Sequence, residues 1–258
     1  MSFSQPKVEN PCRKFYEFKG DRGVFQYYDK ELGENVELKA PAFFIVLDQL
    51  STIKGYSDAY KSGIWANEVH SLINEPLRVK SFKGGLSITG KYADIKDEVK
   101  SEGGKFTKSV YALMFDEERN TEIVNFQLSG AALSAWFEFK FSNQLHVVSI
   151  TGDNTREKKG SINYFKPVFK RYNMKEEFVQ TAIKSDQLLQ KFFKDRLEQQ
   201  HEQAAAVEYP EVEEEIKTDN EIWHENNYEK DKGTVYPDKS FDKMPEPPGT
   251  NPEDGLPF

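Results

Sequence analysis

Cysteine is almost absent from this chain, and Cys12 stands alone. That excludes an intrachain disulfide and any multi-cysteine zinc site, and it suits a reducing cytoplasm. Long apolar runs are also missing. The longest, APAFFIVL at 40–47, is far short of the ~20 residues that span a bilayer. The opening MSFSQPKVENPCRKF lacks the basic-then-apolar order of a secretory signal, so a cytoplasmic protein without membrane association is expected. Histidines are few and scattered, at 70, 146, 201 and 224. None has a second ligand type at metal-binding spacing, so neither a metal nor another cofactor is expected. No serine or cysteine sits in a nucleophile elbow, and nothing else in the chain gives a positive sign of an enzyme.

One apparent exception fails on its context. GLSITGKY at 85–92 fits G-x-x-x-x-G-K, yet Tyr92 stands where a phosphate loop needs a hydroxyl for Mg²⁺. Leu86, Ser87, Ile88 and Thr89 alternate as a strand does, whereas a phosphate loop must curl its backbone N–H groups inward.

Charge is distributed unevenly. The net charge is -8, but residues 207–258 carry 15 Asp or Glu against 5 Lys, leaving residues 1–206 with a net +2. The acidic segment, with repeated proline and no apolar period, is expected to be a disordered tail over 207–258. Before it, residues 173–206 form the best helical pattern in the chain. Phe178, Ala182, Leu189, Phe193 and Leu197 fall near one face, which is expected to pack on the preceding domain.

Residues 1–172 read as mainly β. FYEF, GVFQYYD and NVELK form an opening meander with turns at GDRG and ELGE. The strands AFFIVLDQL, LRVKSF, LSITGKY, KSVYALMF, EIVNFQL, HVVSIT and SINYFKPVF follow, interrupted by short helices at 93–104 and 129–139. The expected fold is an oligonucleotide-binding-type (OB-fold-like) Greek-key barrel with extra hairpins and short helices.

Aromatic and basic residues interleave across this domain. KGYSDAYKSGIW contributes Lys54, Tyr56, Tyr60, Lys61 and Trp65. LRVKSFKGGLSITGKY adds Arg78, Lys80, Phe82, Lys83, Lys91 and Tyr92, and KFTKSVY adds Lys105, Phe106 and Lys108. The most basic stretch, 155–172, has six Lys or Arg against one Glu, with Arg156, Lys158, Lys159, Tyr164 and Lys166 as candidates. Single-stranded nucleic acid calls for this pairing, because phosphates need cations and unpaired bases need flat π surfaces. Alternation within LRVKSFK puts Phe82 on the face of Arg78 and Lys80. In NYFKPVF it puts Tyr164 with Lys166.

The chain closes on PEDGLPF after an acidic, proline-containing stretch. This resembles the C-terminal tip of bacterial and bacteriophage single-stranded DNA-binding proteins, with Glu253 and Asp254 as the acidic lead and Leu256, Pro257 and Phe258 as the apolar-Pro-Phe ending. Gly255 departs from the acid usual there. The body is longer than the short bacterial form and looks more like the larger phage replication proteins, without the zinc-binding cysteines of one such group. The resemblance implies a non-enzymatic protein, in a bacterial or phage-infected cell, that coats single-stranded DNA during replication, recombination or repair. It also implies that Glu253, Asp254, Leu256, Pro257 and Phe258 recruit replication and recombination proteins, Phe258 filling an apolar pocket while its carboxylate meets a cation. Two other readings fit the residues: an interaction adaptor whose acidic tail is a solvating tether, and an RNA-binding module, since stacking does not distinguish sugars.

Overall fold

The computed structural model describes residues 9–116, 118, 120–141 and 146–207. The acidic segment from 208 on, with its Leu-Pro-Phe tip, lies outside the described residues. The chain is mainly β. The opening meander forms as the turn residues dictate: β1 (Lys14–Lys19), β2 (Val24–Asp29) and β3 (Glu34–Glu37) pair antiparallel in succession. Asp29 Oδ1 accepts the backbone N–H groups of Glu31 and Leu32 in the second turn, an Asx-type closure.

β4 (Ala42–Ser57) is longer than its apolar run and continues into the aromatic-basic segment that begins at Lys54. After a turn the chain returns as β5 (Ser62–Ala66), then β6 (Leu77–Ser81), β7 (Ser87–Gly90), α1 (Tyr92–Ser101) and β8 (Gly104–Phe115). β9 (Thr121–Leu128) and α2 (Gly130–Phe139) follow. SINYFKPVF was expected as one strand, but the break at Pro167 gives two; the remaining strands are β10 (His146–Ile150), β11 (Thr155–Lys159), β12 (Ile162–Lys166) and β13 (Phe169–Asn173). Proline cannot donate to a ladder, which explains the break. α3 (Glu176–Val207) completes the domain.

The strand order is β3-β2-β1-β9-β8-β4-β5-β6-β7, with β10 and β13 added along the first half of β4. β1 and β9 run parallel; the other pairings are antiparallel. Here the expectation of a barrel is corrected. β3 and β7, the ends of the order, do not pair with each other among the described residues, and the sheet stays open. The extra hairpins lengthen it at both ends instead of closing it. β11 and β12 form a separate hairpin.

Each face of the sheet has a distinct covering. On one face, α2 packs on Tyr16, Phe44, Val110, Phe126 and Val148, and α1 packs on Ile53, Ile64, Val79 and Ile88. On the other, α3 buries Ala182, Leu189 and Phe192 against Ile45, Leu50, Tyr111 and Leu113. The apolar face read for α3 holds at Phe178, Ala182, Leu189 and Phe193, while Leu197 is exposed and Phe192 takes a buried place. Adjacent leucines on α3 differ completely, Leu189 being buried and Leu188 exposed. Leu189→Ala should destabilise the chain by about 2–5 kcal/mol and Leu188→Ala by less than about 0.5 kcal/mol; urea unfolding followed by circular dichroism measures both.

Candidate nucleic-acid interface

The candidate site arises from strand register. Residues directly opposite in an antiparallel pair share a face. Lys105 stands opposite Lys54, Lys54 opposite Trp65, Trp65 opposite Lys80, and Lys80 opposite Ser87. These residues form one row across β8, β4, β5, β6 and β7. Neighbouring rows on the same face hold Tyr56 opposite Gly63, and Arg78 opposite Thr89. The opposite parity, Ile53, Ile64, Val79 and Ile88, is the core under α1. Alternation therefore sends the apolar half inward and leaves Lys54, Tyr56, Trp65, Arg78, Lys80 and Lys105 on the other face.

Phe82 joins them just past the end of β6. Its N–H donates to Gly63 O at 3.0 Å, and its ring lies near Trp65 with centroids 6.2 Å apart and planes 23° from parallel. Gly63 permits this. A Cβ at that position would come within 2.9 Å of the Phe82 ring. Phe82 is 74% exposed and Tyr56 54% exposed, and it is their grouping with Trp65 on one face, not the exposure of either ring alone, that marks the surface.

The strands that carry these residues bear charge of one sign. β4 after Asp48, and all of β5, β6, β7 and β8, contain no Asp or Glu. Among the described residues Lys54, Arg78, Lys80 and Lys105 make no ion pair. Burial pulls the Lys54 ammonium below the ordinary lysine range, and the charges of Glu17 and Glu68 only partly oppose it. Glu17 is itself paired with Lys19 at 3.1 Å. Glu68 is engaged by other partners: it accepts from Ser109 Oγ at 2.5 Å and Tyr111 OH at 2.8 Å, and meets Arg196 of α3 at 3.4 Å. An under-solvated cation without a dedicated carboxylate gains most from an incoming anion.

The remaining candidates lie elsewhere. Lys61, 3.5 Å from Asp58, and Lys83 sit in exposed turns at the rim. Tyr60 packs into the α1 core close to Gly85. Tyr92 and Phe106 meet each other on the α1 side, 5.3 Å between centroids, and Lys91 precedes α1. Lys108 shares the Ile53 side and donates to Ser51 Oγ at 3.2 Å, its pKa lowered by burial. Arg156, Lys158, Lys159, Tyr164 and Lys166 belong to the β11–β12 hairpin, which touches α2 and the β1–β2 turn. Tyr164 and Lys166 do share a face, but carboxylates hold both. Tyr164 OH donates to Glu157 at 2.8 Å, and Lys166 lies 2.6 Å from Glu138 and 3.4 Å from Glu157. The bond to Glu138 raises the Lys166 pKa and lowers that of Glu138.

Compared with known proteins, the chain matches no family model, no curated protein and no solved structure. The site is therefore judged on its own geometry. Ser87 and Thr89, exposed on β7 in the same rows, escaped the sequence reading, although the alternation of LSITG contained the signal. The GLSITGKY segment is a strand followed by a helix start, not a phosphate loop. Cys12 is buried, and burial pushes its thiol up to about 12, which makes it a packing residue rather than a nucleophile. Among the described residues no three His, Cys, Asp or Glu are grouped to hold a metal, and no helix is long and apolar enough to cross a membrane.

Gly63→Ala tests the aromatic platform without touching a charge. The new methyl should lift Phe82 from Trp65, increase acrylamide quenching of tryptophan fluorescence, and change unfolding free energy by less than about 1 kcal/mol. Unchanged quenching would show that the pair does not depend on the glycine.

Proposed function

We propose that this protein binds single-stranded DNA without sequence choice, on the face formed by Lys54, Tyr56, Trp65, Arg78, Lys80, Phe82 and Lys105. One observation carries the proposal: exposed aromatic rings framed by four cations, on strands that contain no acid after Asp48. Cations draw the phosphates, and each base stacked on an exposed ring contributes roughly 1–3 kcal/mol whatever its identity. A protein–protein adaptor would use aromatics too, but the centre of such an interface is depleted of unpaired charge. That contrast favours nucleic acid.

The oligonucleotide-binding character of the fold is part of this reading. Such folds are partly open barrels that bind along a strand face, and the open sheet with its long β4 is compatible with an elaborated form. The acidic segment after α3 is proposed to recruit replication, recombination or repair proteins through Glu253, Asp254, Leu256, Pro257 and Phe258, in a bacterial or phage-infected cell.

Fluorescence anisotropy with labelled oligo-dT tests the proposal. Binding should weaken steeply with salt, and an equal length of duplex should bind less well. Trp65→Ala and Phe82→Ala should each cost about 1–3 kcal/mol, and Tyr164→Ala much less. Absence of oligo-dT binding at low salt would falsify the reading, and tighter binding to a matched RNA strand would redirect it. Deleting 251–258 should abolish capture of replication proteins and leave oligo-dT affinity intact or improved; lost affinity would contradict the tethered-tip model.

A further inference from the structure

The α1 side of the sheet carries a cleft beside the face. Tyr92, Lys96 and Lys100 recur at four-residue spacing along α1, which aligns them on one side of the helix. Together with Asp97 of α1 and Lys105 and Phe106 of β8, they line a cleft of about 300 Å³. That volume is at the lower end of the range for sites that hold small organic groups. Its charged lining consists of three ammoniums and one carboxylate, and none of these groups makes an ion pair among the described residues. The half-buried rings of Tyr92 and Phe106, inclined at 47°, supply apolar surface beside the cations.

Lys105 links this cleft to the face. β8 pairs with β4 from Gly104 onward, but β9 joins only at Lys108. Among the described residues, the first four of β8 therefore pair with no strand on that side and form an edge of the sheet. Lys105 stands on that edge, in the row of Lys54 and Trp65 and also at the mouth of the cleft.

We propose that a single strand bound on the face turns around this edge at Lys105 and seats a nucleotide in the α1–β8 cleft. Its phosphate lies between Lys96 and Lys100, and its base or sugar lies against Tyr92 and Phe106. This subsite rests on the reading of the face as a single-stranded DNA surface. The mixture of lining groups selects the ligand. A bare phosphate would leave the rings uncovered, and an apolar side chain would leave two lysines without partners, whereas a nucleotide satisfies both.

The test uses the full chain and its Lys96→Ala/Lys100→Ala variant. Both lysines are exposed, so the fold should tolerate their loss. Each protein is titrated over a range of salt with oligo-dT of about 5 and about 16 nucleotides, near the limits of site sizes for such folds. On the long strand the variant should lose about 0.7 from the slope of log K against log salt, the share of the one phosphate that the two lysines hold. On the short strand, which occupies the face alone, the two proteins should bind alike. Equal slopes on the long strand would overturn the cleft and leave the face intact. An equal loss on both strands would also overturn it, because the lysines would then act on the ligand of the face itself. If the unaltered chain binds neither strand, the face and the cleft both fall.

Discussion

The pairing of β4 with β8, and the single irregularity within it, governs the rest of the structure. The two strands stay in register from Phe43 to Gly55 except at a bulge between Val46 and Asp48. A bulge inserts one residue and reverses which side chains face which way beyond it. Before it, Phe44 and Val46 point to the α2 core and Ile45 to α3. After it, Ile53 points to the α1 core and Lys54 and Tyr56 to the opposite face. Without the extra residue, Lys54 would enter the core and Ile53 would face water. The α1 core and the aromatic-basic surface therefore depend on the same local feature.

The face carrying that surface has two halves. α3 covers one, where Ile45, Leu50, Tyr111 and Leu113 supply apolar contact. Glu68 marks the boundary, held by Ser109, Tyr111 and Arg196. Burial and the nearby Glu68 carboxylate raise the Tyr111 pKa, which keeps its hydroxyl protonated as a donor. Beyond this boundary the strands have no carboxylate, and a lysine, not an apolar side chain, follows Ile53. A helix laid over that part would have to desolvate Lys54, Lys80 and Arg78 without partners, a cost that helps keep it open.

Local patterns made much of this legible. The meander, its turns, the two short helices and the amphipathic stretch that became α3 followed from period and punctuation. Alternation in LRVKSFK placed Arg78, Lys80 and Phe82 together, because that rule acts within one strand. What escaped was non-local. No strand is evident over 54–65, because Gly55, Gly63 and the polar turn interrupt its pattern, yet β8 and β6 draw its ends into the sheet. The bulge leaves no mark on composition, so the row from Lys105 to Ser87 could not be read. Charge density favoured 155–172, but the alternation of β11 and β12 puts Glu157 on the face of Tyr164 and Lys166, and Glu138 arrives from α2. Openness of the sheet likewise depends on which edges meet, a property of the whole assembly of strands.

The central claim is that the aromatic-basic face, rather than the more basic hairpin, holds the DNA. Amide hydrogen exchange on the full chain, with and without saturating oligo-dT, tests this most directly. The account predicts added protection over 52–66, 77–83 and 104–107, with little change over 155–166. Protection concentrated in 155–166, with the β4–β6 segments unchanged, would contradict it.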